Sequence, residues 1–207
     1  MIFPFFTTIA IVLGILTVYM RQSTKHVGSD MKDLWTKELK ANGVRKQPLT
    51  DIEYIEPDFD QLPFDEETAD ETLLDYQNKL NSLRGQKIVN LSNITNTDLK
   101  LKYGVANLEY LSACDENYLT LVKYLYLWGR YLYEQGDIEK AKQVLEFGVS
   151  VHTDSKAHYR LLADIYASDF DFEAIDRIAD EASHIASDSR DAIIAMLKSD
   201  EFLRNPK

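Results

Sequence analysis

Apolar residues recur at intervals of three and four along most of the chain after residue 70, the spacing of one face of an α-helix. The first such stripe is formed by Leu73, Tyr76, Leu80 and Leu83. Gly85 follows it and predicts the end of that helix. A further stripe, which predicts one amphipathic helix, is formed by Leu101, Val105, Leu108 and Leu111. We therefore predict an all-α fold.

Residues 118–187 contain two helix-pair patterns that repeat with a fixed period. Gly129 and Ala163 are 34 positions apart, and so are Asp137 and Asp171. In each pattern a first helix with a large apolar face is followed by a turn and a second helix with small residues on its packing face. A period of this length is typical of stacked helical hairpins.

These two patterns resemble tetratricopeptide repeats, and we place the repeats at about residues 122–155 and 156–189. The resemblance implies an α-solenoid whose first helices line a concave groove. Thr153 and Ser187 stand where the family often has proline, and Phe170 stands where its turn glycine is expected. A final helix after Asp188 is predicted to close the exposed end of the stack with Ile193, Ile194, Met196 and Leu197.

The N-terminal residues 2–20 carry no charged side chain. In a helix this segment would rise about 28 Å, close to the hydrocarbon thickness of a bilayer. No Lys or Arg precedes it and Val18-Tyr19-Met20 is unlike a signal-peptidase site, so we favour a transmembrane anchor over residues 1–20 rather than a cleaved signal peptide. Basic residues follow in the juxtamembrane segment 21–46, which predicts a single-pass protein with its C-terminal domain in the cytoplasm.

The juxtamembrane segment also contains a predicted short helix with Ser29 at its start. Its apolar face is formed by Met31, Leu34, Trp35 and Leu39, and Asn42-Gly43 predicts its end. The cations of this segment could also hold anionic headgroups, each contributing about 1 kcal/mol. Setting the topology is sufficient to explain them.

Residues 47–69 are predicted to form an acidic linker. Eleven Asp or Glu and no Lys or Arg lie between Asp51 and Asp75, with Pro57 and Pro63 among them. Apolar residues are nevertheless interleaved with the acids: Ile52, Tyr54, Ile55, Phe59, Leu62 and Phe64. We favour their packing on the outside of a helical domain over residues 70–207. The alternative is a peptide that docks in a repeat groove.

The register of the repeats assigns candidate groove positions to the first helix of each. In the first repeat they are Lys123, Tyr126, Arg130, Tyr133 and Glu134. In the second they are Ala157, Arg160, Asp164, Ala167 and Ser168. The cations and tyrosines of this set would attract an acidic protein segment or peptide, although a solvated helix surface explains them equally well. The family's carboxylate-binding asparagines are missing, so chaperone binding is not predicted.

Charge and candidate chemistry narrow the function further. The net charge of −11 argues against a nucleic-acid partner. Cys114 follows an apolar helix face, which predicts a buried side chain rather than a nucleophile. His152, Asp154 and His158 lie across the turn between repeats rather than on one helix face, and we predict no metal site. No phosphate-binding loop or nucleophile motif is present, so we expect no enzyme, no cofactor and no small-molecule substrate.

These features predict a membrane-anchored protein–protein interaction module that holds a partner at the cytoplasmic membrane face. The layout resembles that of single-span bacterial membrane proteins with tetratricopeptide repeats. Two alternatives remain: a structural subunit packed permanently in a larger membrane complex, and an extracytoplasmic repeat protein with a cleaved or inverted apolar segment.

Overall fold

The computed structural model describes residues 31–65, 67–68 and 70–199. Over these residues the fold is all-α, as predicted, and its extended segments form only an isolated antiparallel bridge between Ile55 and Ile88. The predicted transmembrane segment lies outside the described residues. None of the helices within those ranges is long and apolar enough to cross a bilayer.

The helices follow the apolar stripes closely, except around Gly104. Residues 31–42 are helical and are called α1. The others are α2 (Glu71–Asn81), α3 (Asn96–Tyr103), α4 (Leu108–Glu134), α5 (Ile138–Ser150), α6 (Lys156–Ser168), α7 (Phe172–Glu181) and α8 (Ser189–Leu197). Side-chain oxygens cap the first turns of four of them, from Asp70, Asp137, Ser155 and Asp171.

The described residues divide into two compact units. One contains α1 and α3, over residues 31–48 and 96–108. In it the Glu38 carboxylate accepts hydrogen bonds from Thr97 (2.6 Å) and Lys100. The Asn107 amide donates to the backbone oxygen of Gln47 at 2.8 Å, which fixes the chain that follows α1. The other unit comprises the described residues of 49–95 and 109–199.

The single helix predicted over residues 101–111 is wrong. The backbone breaks at Gly104, where φ is +84°, so α3 ends before it and α4 begins after it. A Cβ atom at Gly104 would lie 2.3 Å from the backbone oxygen of Arg45. The chain following α1 therefore requires a glycine here, and Leu111 belongs to the same long helix as Tyr118 and Glu134.

The core of the second unit is built from the predicted repeat helices. Its largest fully buried side chains include Trp128, Leu125, Leu145, Leu162 and Ile175. Gly129 and Ala163, which share one register position, are both buried. A Cβ atom at Gly129 would lie 2.7 Å from Leu145 Cδ2, so the glycine allows α4 and α5 to approach closely.

The two hairpin turns use the same backbone geometry 34 residues apart. Gly136 has φ +82° and Phe170 has φ +59°. After each of them an Asp amide donates to a carbonyl five residues earlier at 2.9 Å, from Asp137 to Leu132 and from Asp171 to Tyr166. These are the hydrogen bonds of a helix C-terminus closed by a left-handed residue. Phe170 thus takes a glycine conformation without being glycine.

The turns that follow the second helix of each hairpin also share a feature, at Thr153 and Ser187. Thr153 and Ser187 are both buried. Each hydroxyl oxygen accepts a hydrogen bond from the amide two residues later, at 3.4 Å for Ser155 and 3.2 Å for Ser189. Hydroxyl side chains therefore shape both turns. Asp188 makes no capping hydrogen bond, but the predicted final helix is confirmed, with buried Ile193, Met196 and Leu197.

The acidic segment is part of this core rather than a free linker. Residues 51–65, called the arm below, are non-helical apart from one 3-10 turn. Phe59 and Leu62 are buried, and the Phe59 ring lies 6.1 Å from that of Phe147 on α5. The ring centroid of Phe64 lies 5.2 Å from that of Trp128. Of the two predictions for these apolar residues, packing against the helices is confirmed.

Candidate peptide-binding surface

Helix α4 presents a row of cations and aromatic rings on the face opposite its core contacts. Lys123 and Arg130 are exposed, Tyr133 retains 38% of its surface and Tyr126 is half-buried. Their spacing of three and four residues places all of them on one side of the helix. The buried Leu125, Trp128 and Leu132 of the same helix face the core instead.

This row is longer than the sequence predicted. Leu119, one turn before Lys123, leaves 57% of its surface exposed. The sequence predicts that the first repeat begins near residue 122, which excludes Leu119. Its spacing of four from Lys123 nevertheless indicates the same face of the helix. Leu119, Lys123, Tyr126, Arg130 and Tyr133 are called the α4 stripe below. At 1.5 Å per residue it extends for about 21 Å along the helix.

Arg130 is the most strongly organised cation of the α4 stripe. Its Nε donates to Glu134 Oε1 at 2.7 Å, and both side chains are about half exposed. The hydrogen bond and charge of Glu134, followed by contact with Tyr126, raise the pKa of the guanidinium. Lys123 places its ammonium group 5.1 Å from the ring centroid of Tyr124. Both cations are thus oriented while remaining accessible to a ligand.

The predicted positions of the second repeat form a smaller group on α6. Arg160 is exposed and its Nε lies 3.9 Å from Asp164 Oδ2. Ala157 and Ser168 are also exposed, whereas Ala167 is buried. Ala167 therefore offers little surface to a ligand.

Both helices are held by the same neighbour, α5. Leu145 of α5 lies against Gly129 of α4, and its backbone oxygen accepts a 2.7 Å hydrogen bond from His158 Nε2 of α6. Tyr126 and Arg160 share one register position, and so do Arg130 and Asp164. The predicted residues are thus grouped into one set on α4 and one on α6, each centred on an arginine–carboxylate pair.

Other sides of α4 are already covered. The Tyr76 ring of α2 lies 6.0 Å from that of Tyr124 and 6.2 Å from that of Tyr131. The Tyr131 hydroxyl donates to the Asp70 carboxylate at the start of α2. The arm contacts Trp128. Neither α2 nor the arm uses the exposed positions of the α4 stripe in these contacts.

The histidines considered as metal ligands have different environments. His158 is fully buried, and burial lowers its pKa to about 4. Its ring fills the space beside Gly148, where a Cβ atom would lie 2.2 Å from Cε1. His152 is exposed and its ring centroid is 6.3 Å from that of His184. The described ranges contain no group of three His, Cys, Asp or Glu side chains suited to a metal ion. Cys114 is buried, as predicted.

The α4 stripe combines cationic groups with exposed apolar surface. Guanidinium and ammonium groups can bind carboxylates, while Leu119 and the tyrosines offer apolar area between them. Comparison of the chain with models of known protein families, with curated proteins and with solved structures found no significant match.

Proposed function

We propose that this protein is a membrane-anchored interaction module that holds an acidic protein segment or peptide at the cytoplasmic membrane face. The α4 stripe carries the proposal, because it combines exposed cations and aromatic rings on one rigid helix. Arginine and tyrosine are among the residues that most often dominate binding energy at protein interfaces.

A tetratricopeptide-like solenoid is the architecture we propose for the second unit. It is supported by the two hairpins with equivalent turns at Gly136 and Phe170 and by the equivalent small residues Gly129 and Ala163. Repeat stacks of this kind offer their first helices to partners. Here those helices are α4 and α6.

The acidic character of the proposed partner follows from the two cations of the α4 stripe, Lys123 and Arg130. Arg130 already donates to the carboxylate of Glu134, one turn along its own helix. A partner carboxylate can therefore bind further donors of the Arg130 guanidinium without reorienting that side chain. Since the chain has a net charge of −11, an acidic segment would be repelled elsewhere on average and directed to these cations.

The decisive experiment uses the full-length chain as bait in detergent-solubilised membranes. A fragment beginning at residue 47 would delete α1 and its contacts with α3, so it is not a suitable bait. Proteins captured by the native chain are compared with those captured by the double variant Arg130→Glu/Arg160→Glu. We expect the specific partner to be lost, with helicity unchanged by circular dichroism.

A matched control variant distinguishes an effect of the binding site from an effect of the changed net charge. Lys79→Glu/Arg190→Glu changes the charge equally at two exposed cations on α2 and α8. This variant should retain the partner. Equal capture by native chain and both variants would exclude the α4 stripe and α6 as the binding surface.

The proposed membrane attachment rests on the uncharged segment 2–20 and the basic residues that follow it. A permanent subunit is the second candidate, favoured by the 57% exposure of Leu119. A permanent partner would co-purify in fixed stoichiometry and resist high salt, whereas a carboxylate held by arginines should be released by salt.

A further inference from the structure

Helix α1 leaves its apolar face uncovered. Four large side chains on it retain more than half of their surface: Met31 (52%), Leu34 (62%), Trp35 (63%) and Leu39 (70%). Their spacing places them along one side of the helix. Within α1 only Ala41 is buried. The helix is therefore amphipathic, but its apolar residues do little to hold its own unit together.

Polar contacts attach α1 to α3 instead. Glu38 is held by Thr97 and Lys100, and Lys37 pairs with Asp98 at 2.7 Å. Glu38 is one turn after Leu34 and therefore lies on the same side of α1 as the apolar residues. The hydrogen bond from Lys100 is the main cause of its lowered pKa. The carboxylate nearest the apolar face is thus neutralised by a partner, and the apolar side chains remain available for another surface.

The charge of this region differs from that of the whole chain. Residues 31–48 contain five cations, Lys32, Lys37, Lys40, Arg45 and Lys46, and two carboxylates, Asp33 and Glu38. The complete chain has a net charge of −11. The positive segment coincides with the exposed apolar helix, and that combination suits a surface that is both apolar and anionic.

The position of α1 in the chain, shortly after the uncharged segment, indicates that this surface is a bilayer. The uncharged segment ends at Met20, and ten residues separate it from Met31. A chain of that length spans at most about 36 Å when fully extended. If residues 2–20 cross a bilayer, α1 cannot leave the neighbourhood of its surface.

We propose that α1 is an interfacial helix that lies in the headgroup region of an anionic bilayer. Leu34, Trp35 and Leu39 face the acyl chains, and the lysines face the phosphates. Trp favours this depth because its ring is apolar and its N–H finds polar partners there. This inference rests on the proposed membrane anchorage and adds a second contact with the lipid, made by the unit that contains α1 and α3.

Tryptophan fluorescence of the full-length chain in nanodiscs provides the test. The chain has two tryptophans, and Trp128 is fully buried in protein. Discs of phosphatidylcholine and phosphatidylglycerol are prepared with and without brominated acyl chains, which quench only nearby indole rings. We expect quenching in the native chain and its loss in Trp35→Phe, whose remaining emission comes from Trp128.

The electrostatic contribution is tested with neutral variants. Lys32→Gln and Lys40→Gln should each lower the ratio of docked to undocked helix about fivefold, since a cation near an anionic surface contributes about 1 kcal/mol. Lys79→Gln, on exposed α2, is the matched control and should leave the quenching unchanged. Discs of phosphatidylcholine alone should show weaker quenching for the native chain.

Alkaline carbonate extraction separates the two proposals. If the chain resists extraction and Trp35 is not quenched, the interfacial helix is excluded while the anchored module stands. If the chain is extracted, the anchorage fails and the interfacial helix with it. A disulfide-linked dimer of Leu39→Cys in the discs would show that a second copy covers this face, which would also overturn the inference.

Discussion

Phe170 occupies a backbone conformation that an L-residue adopts only at a cost. Its φ is +59°, its side chain is 69% exposed, and the equivalent residue of the first hairpin is Gly136. Left-handed helical geometry costs a non-glycine residue about 1–2 kcal/mol. We therefore expect Phe170→Gly to raise the free energy of unfolding by about 1 kcal/mol, measured by urea denaturation followed by circular dichroism.

Gly136→Phe provides the reciprocal variant and should lower stability by a similar amount. A loss of stability in Phe170→Gly would mean that the exposed ring makes a contact worth more than the strain.

His158 predicts a specific pH dependence of stability. Burial lowers its folded-state pKa to about 4, while the unfolded chain has an ordinary value near 6.5. Above pH 6.5 both states are neutral. As the pH falls from 6.5 to 4 only the unfolded state gains a proton, so stability should decrease by about 3 kcal/mol over that window.

The variant His158→Gln isolates this effect, since its amide can still donate to the Leu145 oxygen but does not titrate. Thermal unfolding at pH 7 and pH 4.5 should show a smaller decrease for the variant than for the native chain. The carboxylates with lowered pKa, Glu38 and Asp70, contribute equally to both proteins. Parallel pH profiles would contradict a buried neutral histidine.

Individual residues could be predicted where neighbours in sequence decide their environment. Cys114 was correctly placed in the core because it continues an apolar helix face. The burial of Ala167 was not predicted, since it depends on what packs against that side of α6. Leu119 was missed for a different reason, because it lies before the predicted start of the first repeat near residue 122.

At the scale of elements, the arm should behave as part of the folded unit. Phe59 is buried against Phe147. The guanidinium of Arg84 lies 5.5 Å from the centre of the Phe59 ring and pairs with Asp60 at 2.8 Å. We expect Phe59→Ala to lower the free energy of unfolding by about 3 kcal/mol. Leu119→Ala, at an exposed apolar position, should change it by less than about 0.5 kcal/mol. Equal effects would indicate a detached arm.

Helix boundaries divide into those set locally and those set by distant residues. α5 and α7 each begin after an aspartate whose side chain caps the first turn, so their starts are visible in the sequence. The break at Gly104 depends on the chain near Arg45, almost sixty positions away. A stripe of apolar residues that continues across the glycine therefore predicted one helix where two occur.

At the scale of the whole molecule, charge is distributed unevenly along the chain. Residues 31–48 are basic, whereas the arm contains six carboxylates and no Lys or Arg. The basic flank predicts that the C-terminus lies in the cytoplasm. Protease added outside intact cells should therefore leave a C-terminal epitope uncut and cleave it once the membrane is permeabilised. Cleavage in intact cells would favour the extracytoplasmic alternative.

The sequence by itself determined the helical class and the 34-residue period, since each follows from spacing within one helix or one hairpin. Tertiary structure decided three further features: the incorporation of the arm through Phe59, the separation of α3 from α4, and the burial of His158 beside Gly148. Each depends on contacts between residues distant in sequence. Periodicity shows which side of a helix is apolar, but only packing determines which segment covers it.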